Sequence, residues 1–184
     1  KHPPKVVIQA SAVGYYGLQE RLDVCTEESA PGHDFLASVC NDWEAESLKI
    51  KHLTRLCTAR IGVVLGLAGG LLPKVWPIYA SGLGAYFGNG KQWMNWIHLD
   101  DVCHFVTTAL SDTSYEGCYN LVSNHNVTNQ TFHQELSQYS PSFKQLRIPK
   151  FVLNTLLGGR SQLMLHAPLV QAKKLEDHKF IFRY

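Results

Sequence analysis

Several features that would place a protein in a specialised class are missing from this sequence of 184 residues. The five cysteines are odd in number and contain no C-x-x-C pair, which argues against a disulfide framework and a zinc knuckle. Lys and Arg (17) nearly balance Asp and Glu (15) without forming blocks, so no nucleic-acid footprint is visible. No apolar run approaches the roughly 20 residues that span a bilayer, and the first residues lack the apolar core of a signal peptide. We therefore predict a soluble, cytoplasmic protein that binds a small molecule, with neither a membrane nor a nucleic acid as partner.

Apolar runs alternate with helical periodicities between residues 6 and 148. Runs such as "VVIQA", "ARIGVVLG" and "GCYNLVS" are short, apolar and bounded by turn residues, which is typical of buried parallel strands. The segments between them repeat apolar residues at three-to-four spacing, as helices do. This alternation predicts an α/β fold with a largely parallel sheet. The pattern from residue 149 to 184 predicts a small helical cap packed on that sheet.

Three helices have predicted starts and two have predicted buried faces. Asp34, Thr128 and either Asp100 or Asp101 stand where a side chain caps a helix N-terminus. Spacing in the first helix predicts a buried side made of Phe35, Val39, Trp43, Glu46 and Ile50. Spacing in the helix after Thr128 predicts that the inward-facing residues are Phe132, Leu136 and Tyr139.

Hydroxyl-bearing side chains follow the first predicted strand, in "IQASAVGYYG" (residues 8–17). Ligands of open parallel sheets lie beyond the carboxyl ends of the strands, so Ser11, Tyr15 and Tyr16 are candidate groups to polarise a substrate carbonyl or alcohol. No lysine is suitably placed in the next helix to lower the pKa of a phenol. The alternative is that Ser11 caps the strand turn and both tyrosines are amphipathic packing residues.

Further candidate site residues lie on later strands. Arg60 lies near a strand end, where a guanidinium can clamp a phosphate bidentately, and its alternative role is a surface ion pair. Trp96 and His98 can stack on or hydrogen-bond a ligand, although a histidine on a strand is more often structural. His98, Asp101 and His104 share no common face across a strand-to-helix junction, so no metal site is predicted.

Several stretches together carry a resemblance to a known family. In chain order they are "IQASAVGYYG", "NDWEAE", "ARIGVVLGLAGGLLPK", "GLGAYFGNGKQWMNWIHLDDV" and "YNLVS". They resemble the extended short-chain dehydrogenase/reductase superfamily and, more narrowly, its atypical branch of epimerase-family proteins, which are labelled nucleoside-diphosphate-sugar epimerases. The closing segment from "IPKFVLN" onward is similar to that branch's C-terminal domain of unknown function. The resemblance covers essentially the whole chain and implies a partial Rossmann-like domain over 1–148 and a helical domain over 149–184.

The resemblance implies an activity and a set of roles. It implies NADP or NAD in the intact protein, a hydride removed from a substrate alcohol and returned, and a small-molecule substrate such as a nucleotide sugar. Ser11 with Tyr15 or Tyr16 would polarise the substrate oxygen, and Arg60 would contact the cofactor. The segment with Trp96 and His98 would lie beside the substrate cleft. A homodimer is a further expectation, because an exposed edge strand can pair with a second chain.

The dinucleotide fingerprint of the superfamily has no counterpart in the sequence. The family keeps this glycine-rich loop in its first strand-turn-helix, where backbone N–H groups hold the pyrophosphate, whereas this chain begins at what resembles the fourth strand. Gly82, Gly84 and Gly88 have one residue too many before the last glycine, and "GNGKQ" has Gln92 where a phosphate loop needs Ser or Thr. We therefore expect a C-terminal portion of a doubly wound NAD(P)-binding fold, without its glycine-loop half and with poor dinucleotide binding by itself.

The catalytic Tyr-x-x-x-Lys motif of working dehydrogenases is also absent. By register with "WEAE" its position falls within residues 35–40, which contain neither tyrosine nor lysine. Two functions stay open from the sequence. One is an NAD(P)-dependent epimerase-like oxidoreductase or isomerase that uses other groups, and the other is a nucleotide-binding pseudoenzyme or sensor without redox turnover.

Overall fold

The computed structural model describes residues 2–18, 23–143 and 146–184. Within these ranges, strands and helices alternate along the chain as the sequence predicts. The strands are β1 (Val6–Ala12), β2 (Arg55–Ile61), β3 (Val63–Leu65), β4 (Tyr86–Phe87), β5 (Trp93–Met94), β6 (Trp96–His98), β7 (Gly117–Leu121), β8 (Val127–Thr128) and β9 (Arg147–Ile148). The α-helices are α1 (Phe35–Leu48), α2 (Leu72–Ala80), α3 (Leu99–Ser111), α4 (Asn129–Ser137), α5 (Lys150–Leu157), α6 (Gln162–Leu165) and α7 (Lys173–Asp177). Short 3-10 helices cover Val13–Tyr16 and Gly158–Ser161.

A parallel sheet of order β1–β2–β7 forms the centre of the fold. Parallel neighbours need a crossover connection, which α1 supplies between β1 and β2. On one face of the sheet α1 brings Glu44 to β1 and β2. On the other face α3 packs Phe105 with its ring centre 5.3 Å from that of Tyr119 on β7. The predicted α/β fold with a parallel sheet is confirmed.

A break at Gly62 separates β2 from β3 and directs the chain to a second group of strands. A Cβ at Gly62 would lie 2.4 Å from the backbone oxygen of Asn95, so only glycine permits this close approach. Beyond the break β3 pairs with β6 and β4 with β9 in parallel, and β5 pairs with β8 in antiparallel fashion. These short pairs hold parts of 83–95 and 127–132 beside the carboxyl ends of β1 and β2.

The predicted helix caps are partly confirmed. Asp34 and Thr128 each accept a hydrogen bond from the backbone N–H three residues later, as expected of N-caps. The cap of α3 is His98, whose Nδ1 accepts from the backbone N–H of Asp100 at 3.2 Å, so the prediction of Asp100 or Asp101 as the cap is wrong. Both aspartates lie in the first turn of α3, where carboxylates complement the positive end of the helix dipole.

The predicted buried face of α1 is wrong, and that of α4 is wrong at Tyr139, whereas Phe132 and Leu136 are half-buried. Phe35 is 79% exposed and Trp43 is 55% exposed. The residues that α1 buries are Ala37, Cys40 and Glu44. This helix turns its small residues and Glu44 toward the sheet because Glu44 pairs there with Arg60. In α4 the buried residues are His133 and Ser137, and Tyr139 lies beyond the helix end with 75% exposure.

Residues 149–184 contribute to the same core as the sheet. Val170 forms a parallel bridge with Cys25. Leu175 is fully buried in a cluster that contains Phe105 and Tyr119. The second half of this segment therefore packs directly on the sheet layer. A domain boundary at residue 148 and a further N-terminal half of the fold stay predictions.

The cysteines are free thiols, and the described residues form no group of side chains that could hold a metal ion. All five cysteines are free thiols, and burial raises the pKa of Cys57 to about 11, which keeps this thiol protonated. In the described ranges, no three His, Cys, Asp or Glu side chains come close enough to hold a metal ion. The helices described there are too short or too polar to cross a bilayer.

Candidate functional site

A cavity of about 590 Å³ opens at the carboxyl ends of β1 and β2. Ala12 and Gly14 line it from the end of β1, and Ile61 and Gly62 line it from the end of β2. Its other walls come from α1, α2, the segment 83–95, the start of α4 and residues 166–168. Its volume falls in the range of roughly 300–1,000 Å³ that is typical of small-molecule sites. The cavity lies where ligands of parallel sheets usually bind.

The pleat of the sheet decides which residues face this cavity. Ser11, Arg60 and Asn120 lie in one register row across β1, β2 and β7, and Ala12 and Ile61 lie in the next row. Successive residues of a strand point to opposite faces. The second row lines the cavity, whereas the first faces α1. Methyl and aliphatic groups, and no hydroxyl, therefore reach the cavity from the sheet at this position.

The first row forms a buried polar cluster around Arg60, which we call the Arg60 network: Ser11, Tyr15, Tyr16, Glu44, Arg60 and Asn120. Arg60 donates from Nε to one carboxylate oxygen of Glu44 at 2.9 Å and from Nη2 to the other at 2.7 Å. The hydroxyl of Ser11 donates to Glu44 at 2.7 Å. The guanidinium carbon lies 3.4 Å from the ring centre of Tyr15, a cation–π contact. This geometry ties β1, β2, α1 and the turn at 13–16 together.

Tyr16 joins the Arg60 network to β7. Its hydroxyl accepts from Nη1 of Arg60 at 3.0 Å and donates to Oδ1 of Asn120 at 2.6 Å. Burial is the main cause that raises the pKa of Tyr16 to about 12. Burial alone would lower the pKa of Arg60, but the hydrogen bonds and charges of Glu44 and Tyr16 more than offset it, so this pKa lies above its usual range. The tyrosine is held neutral and the arginine charged.

The Arg60 network changes the interpretation of four predicted site residues. Arg60 is 3% exposed and its fork bonds Glu44 in an internal ion pair, and its predicted role as a phosphate clamp stays a prediction. A surface ion pair is the alternative role of Arg60 that the sequence suggests. The structure shows an ion pair, but it is buried. Ser11, Tyr15 and Tyr16 also do not line the cavity. Their predicted catalytic roles are not tested by this geometry, which places them behind the cavity wall.

Trp96 and His98 are not brought to the cavity either. The indole Nε1 of Trp96 donates to the backbone oxygen of His125 at 3.0 Å. The ring of His98, besides capping α3, stacks on Tyr184 with ring centres 3.8 Å apart. Their substrate-binding role stays a prediction, and the contacts described are structural.

Helix α1 presents no acid or base to the cavity. Of residues 35–40, where the Tyr-x-x-x-Lys motif would fall, Leu36 lines the cavity wall. Cys40 follows one turn later and is buried, and burial raises the pKa of its thiol. Residues 35–40 thus bring an aliphatic side chain, and neither a phenol nor an ammonium group, to the cavity wall.

Three functional or structural residues escape the sequence analysis: Glu44, Tyr79 and Asn95. Tyr79 lines the cavity, its hydroxyl lies 3.0 Å from Nδ1 of His133, and burial raises its pKa to about 12. Asn95 donates to the backbone oxygen of Pro168 at 2.9 Å and accepts from the N–H of Val170 at 3.1 Å. Only Glu44 leaves a signal in the sequence, as a charge four residues after Cys40 on the face of α1 that also carries Ala37.

Known proteins match this chain over nearly its whole length, although no model of a protein family does. An Arabidopsis thaliana epimerase family protein, described as a chloroplastic SDR39U1 homologue, is 36% identical over 181 residues, or 98% of this chain and 52% of the relative. The crystal structure of human epimerase family protein SDR39U1 (isoform 2) with NADPH matches with a TM-score of 0.88 and 27% identity, over 100% of this chain and 62% of that protein. The nucleoside-diphosphate sugar epimerase of Corynebacterium glutamicum matches with a TM-score of 0.79 and 30% identity, over 98% and 35% respectively.

These matches, together with the parallel sheet and the cavity at its strand ends, define a Rossmann-like fold of the short-chain dehydrogenase/reductase type. Within that class the chain belongs to the epimerase family, as the resemblance predicts. It spans about half the length of the Arabidopsis relative, 52%.

Proposed function

We propose that this chain forms the substrate side of an NAD(P)-dependent, epimerase-like protein. The observation that carries the proposal is the cavity of about 590 Å³ at the carboxyl ends of β1 and β2. The family and the NADPH in the human relative support NADP, with NAD as the other candidate. A nicotinamide, when bound, exchanges a hydride with a substrate carbon. The ligand is a small molecule that carries an alcohol or a carbonyl.

The described residues fit the uncharged end of a dinucleotide and not its pyrophosphate. Ala12, Gly14 and Leu36 offer an uncharged wall for a flat ring. Among the residues that the structure describes, no lysine or arginine lines the cavity. The N-terminus of α1 is capped by the carboxylate of Asp34, which disfavours a bound phosphate there. In this proposal the glycine loop of the preceding half holds the pyrophosphate.

The edge of β1 is where such a half would add. In the sheet order β1–β2–β7 this strand has β2 on one side and no other strand of the described ranges on the opposite side. An unpaired edge offers backbone donors and acceptors to an incoming strand. The glycine-loop half of the fold fits this edge, and a second copy in a homodimer is the other candidate.

The chain's own residues then have positioning and shielding roles. Leu36 and the α2 wall exclude water from the reacting carbon. The Arg60 network fixes the turn at 13–16 through Tyr15 and Tyr16, and so holds Gly14 at the cavity wall. Ser11 contributes by holding Glu44 rather than by touching the substrate.

NADPH binding tests the missing-cradle part of the proposal. The 184-residue chain is expected to bind NADPH about 100-fold more weakly than the same chain preceded by a glycine-loop half, because the loss of two charge-assisted hydrogen bonds to phosphate has about that effect. Titration calorimetry of both chains gives the two dissociation constants. Nicotinamide mononucleotide, which lacks the second phosphate, is the control ligand and is expected to separate the two chains less. Equal, tight NADPH binding by both chains contradicts the proposal.

A nucleotide sensor without turnover is the second candidate function, favoured by the lack of a tyrosine and a lysine in residues 35–40. The extended chain is incubated with NADPH labelled at the transferred hydrogen and with a panel of alcohols, ketones and nucleotide sugars. Epimerase-like chemistry predicts that the label passes to or washes out through at least one substrate. Tight NADPH binding with no exchange across the panel supports the sensor.

A further inference from the structure

The walls of the cavity are mainly apolar. Helix α2 contributes Val75 and Ile78, and Leu71 lines the cavity from the N-cap of this helix. The segment 83–95 contributes Leu83, Phe87 and Met94. Such a surface gains free energy by removing apolar ligand area from water, and it offers nothing to a hydroxyl or a phosphate in return.

The polar groups of the wall are largely engaged within the protein. Asn95 uses its amide oxygen and nitrogen on Val170 and Pro168. Asn129 accepts from the N–H of Phe87 at 2.8 Å. The Tyr79 hydroxyl is taken by His133 at 3.0 Å. A sugar ring buried here would lose water from several hydroxyls without gaining an equal number of partners, which opposes its binding.

Charge also argues against a nucleotide diphosphate. Sites for such anions use arginine forks, lysines or free helix N-termini. The described wall has no arginine or lysine. Arg60 precedes the cavity-lining Ile61 in the strand, but its guanidinium points to the opposite face of the sheet and donates to Glu44 there. Among the described residues, the nucleotide-sugar substrate that the resemblance implies therefore finds no lysine or arginine for its phosphates, and Asn95, Asn129 and Tyr79 already bond groups of the protein that its hydroxyls would have to displace.

We infer that the cavity takes a neutral, mainly apolar ketone or alcohol rather than a nucleotide sugar. The inference rests on the proposed function for the role of that ligand as substrate, and it names the substrate's chemical class. Size agrees, because about 590 Å³ accommodates a molecule of two or more rings beside a nicotinamide.

Residues at the mouth of the cavity are partly exposed, so they can be substituted with little effect on the fold. Ile78 and Leu83 line the cavity and are 50% and 68% exposed, so a lysine at either position can reach water. Trp76 lies on the same helix, is 42% exposed and does not line the cavity. Ile78→Lys is thus the test variant, Leu83→Lys is its independent second, and Trp76→Lys is the matched control.

Photolabelling with benzophenone measures occupancy of the cavity without cofactor. Benzophenone is a neutral apolar ketone whose excited state abstracts hydrogen from nearby C–H groups, with a preference for methionine. The chain has two methionines, of which Met94 lines the cavity. The 184-residue chain is irradiated with the probe, and labelled peptides are quantified by mass spectrometry. Excess α-tetralone, a second apolar ketone, and excess UDP-glucose are the competitors.

The inference predicts labelling at Met94 that α-tetralone suppresses and UDP-glucose does not. An ammonium group at the mouth loses water when an apolar ligand covers it, so labelling is expected to fall about fivefold or more in Ile78→Lys and Leu83→Lys and to change less than about twofold in Trp76→Lys. Absence of label at Met94, protection by UDP-glucose alone, or equal loss in all three variants overturns it. NADPH plays no part in this assay. A negative photolabelling result therefore does not contradict the cofactor proposal, and a negative NADPH titration does not change the interpretation of the photolabelling.

Discussion

Replacing Arg60 by leucine is expected to lower the free energy of unfolding by about 3–5 kcal/mol, because it leaves the Glu44 charge buried without a partner. The side chains of Arg60 and Glu44 are 4% and 8% exposed, and two hydrogen bonds of 2.9 and 2.7 Å join them. The Tyr16 hydroxyl loses the hydrogen bond that it accepts from Arg60 at the same time. Urea unfolding followed by circular dichroism measures the change, with the slope against urea expected to stay constant.

Two comparisons isolate the buried charge as the cause. Lys49 and Glu46 form an exposed pair at 2.6 Å with 67% and 71% exposure, so Lys49→Ala is expected to change the free energy of unfolding by less than about 0.5 kcal/mol. The double variant Arg60→Leu, Glu44→Leu removes both charges and is expected to recover much of the loss. If Arg60→Leu is no more harmful than Lys49→Ala, the Arg60 network does not hold these elements together.

The alternation of elements and the caps at Asp34 and Thr128 are local properties, and the sequence predicts them correctly. The side that α1 buries is not local. Its apolar spacing selects Phe35 and Trp43, but the sheet attracts Glu44 through Arg60, sixteen residues later on another strand. A charge pair of that separation leaves no periodic signal, and its hydrogen bonds outweigh the apolar spacing in setting the rotation of the helix.

The candidate site shows the same limit at the scale of one residue. The sequence correctly predicts that the end of the first strand meets a ligand-sized space, since Ala12 and Gly14 line the cavity. It selects Ser11 for its hydroxyl, yet a shift of one residue reverses the face in a strand. Only the register with Arg60 and Asn120 reveals that Ser11 faces α1. The roles of Asn95 and Tyr79 could not be predicted, because they depend on contacts with distant segments, at 168–170 and 133, that only the fold brings together.

Alkaline solution is expected to unfold the protein cooperatively between about pH 10 and 12. Burial is the main cause that raises the pKa of Tyr16, Tyr79 and Tyr119 to about 12. Tyrosines of the unfolded chain ionise near pH 10, so in this interval the unfolded state has lost protons that the folded state retains, and stability falls as pH rises. Each tyrosine contributes roughly 3 kcal/mol over two pH units, so the three together contribute an amount comparable with the whole stability of a typical domain.

Tyrosinate absorbance and far-ultraviolet circular dichroism, recorded together against pH, test this coupling. Since the three buried phenols ionise only when the core opens, the part of the tyrosinate absorbance that they contribute is expected to share one midpoint above pH 10 with the circular dichroism change. Tyr79→Phe removes one of the three protons and is expected to make the fall in stability with pH less steep by about one proton. Tyr139→Phe, at a position that is 75% exposed, is the control and is expected to leave the slope unchanged. Ionisation of all tyrosines near pH 10 with the helical signal intact would contradict the prediction. It would show that these phenols reach water without unfolding, and that the Arg60 network does not keep Tyr16 away from water.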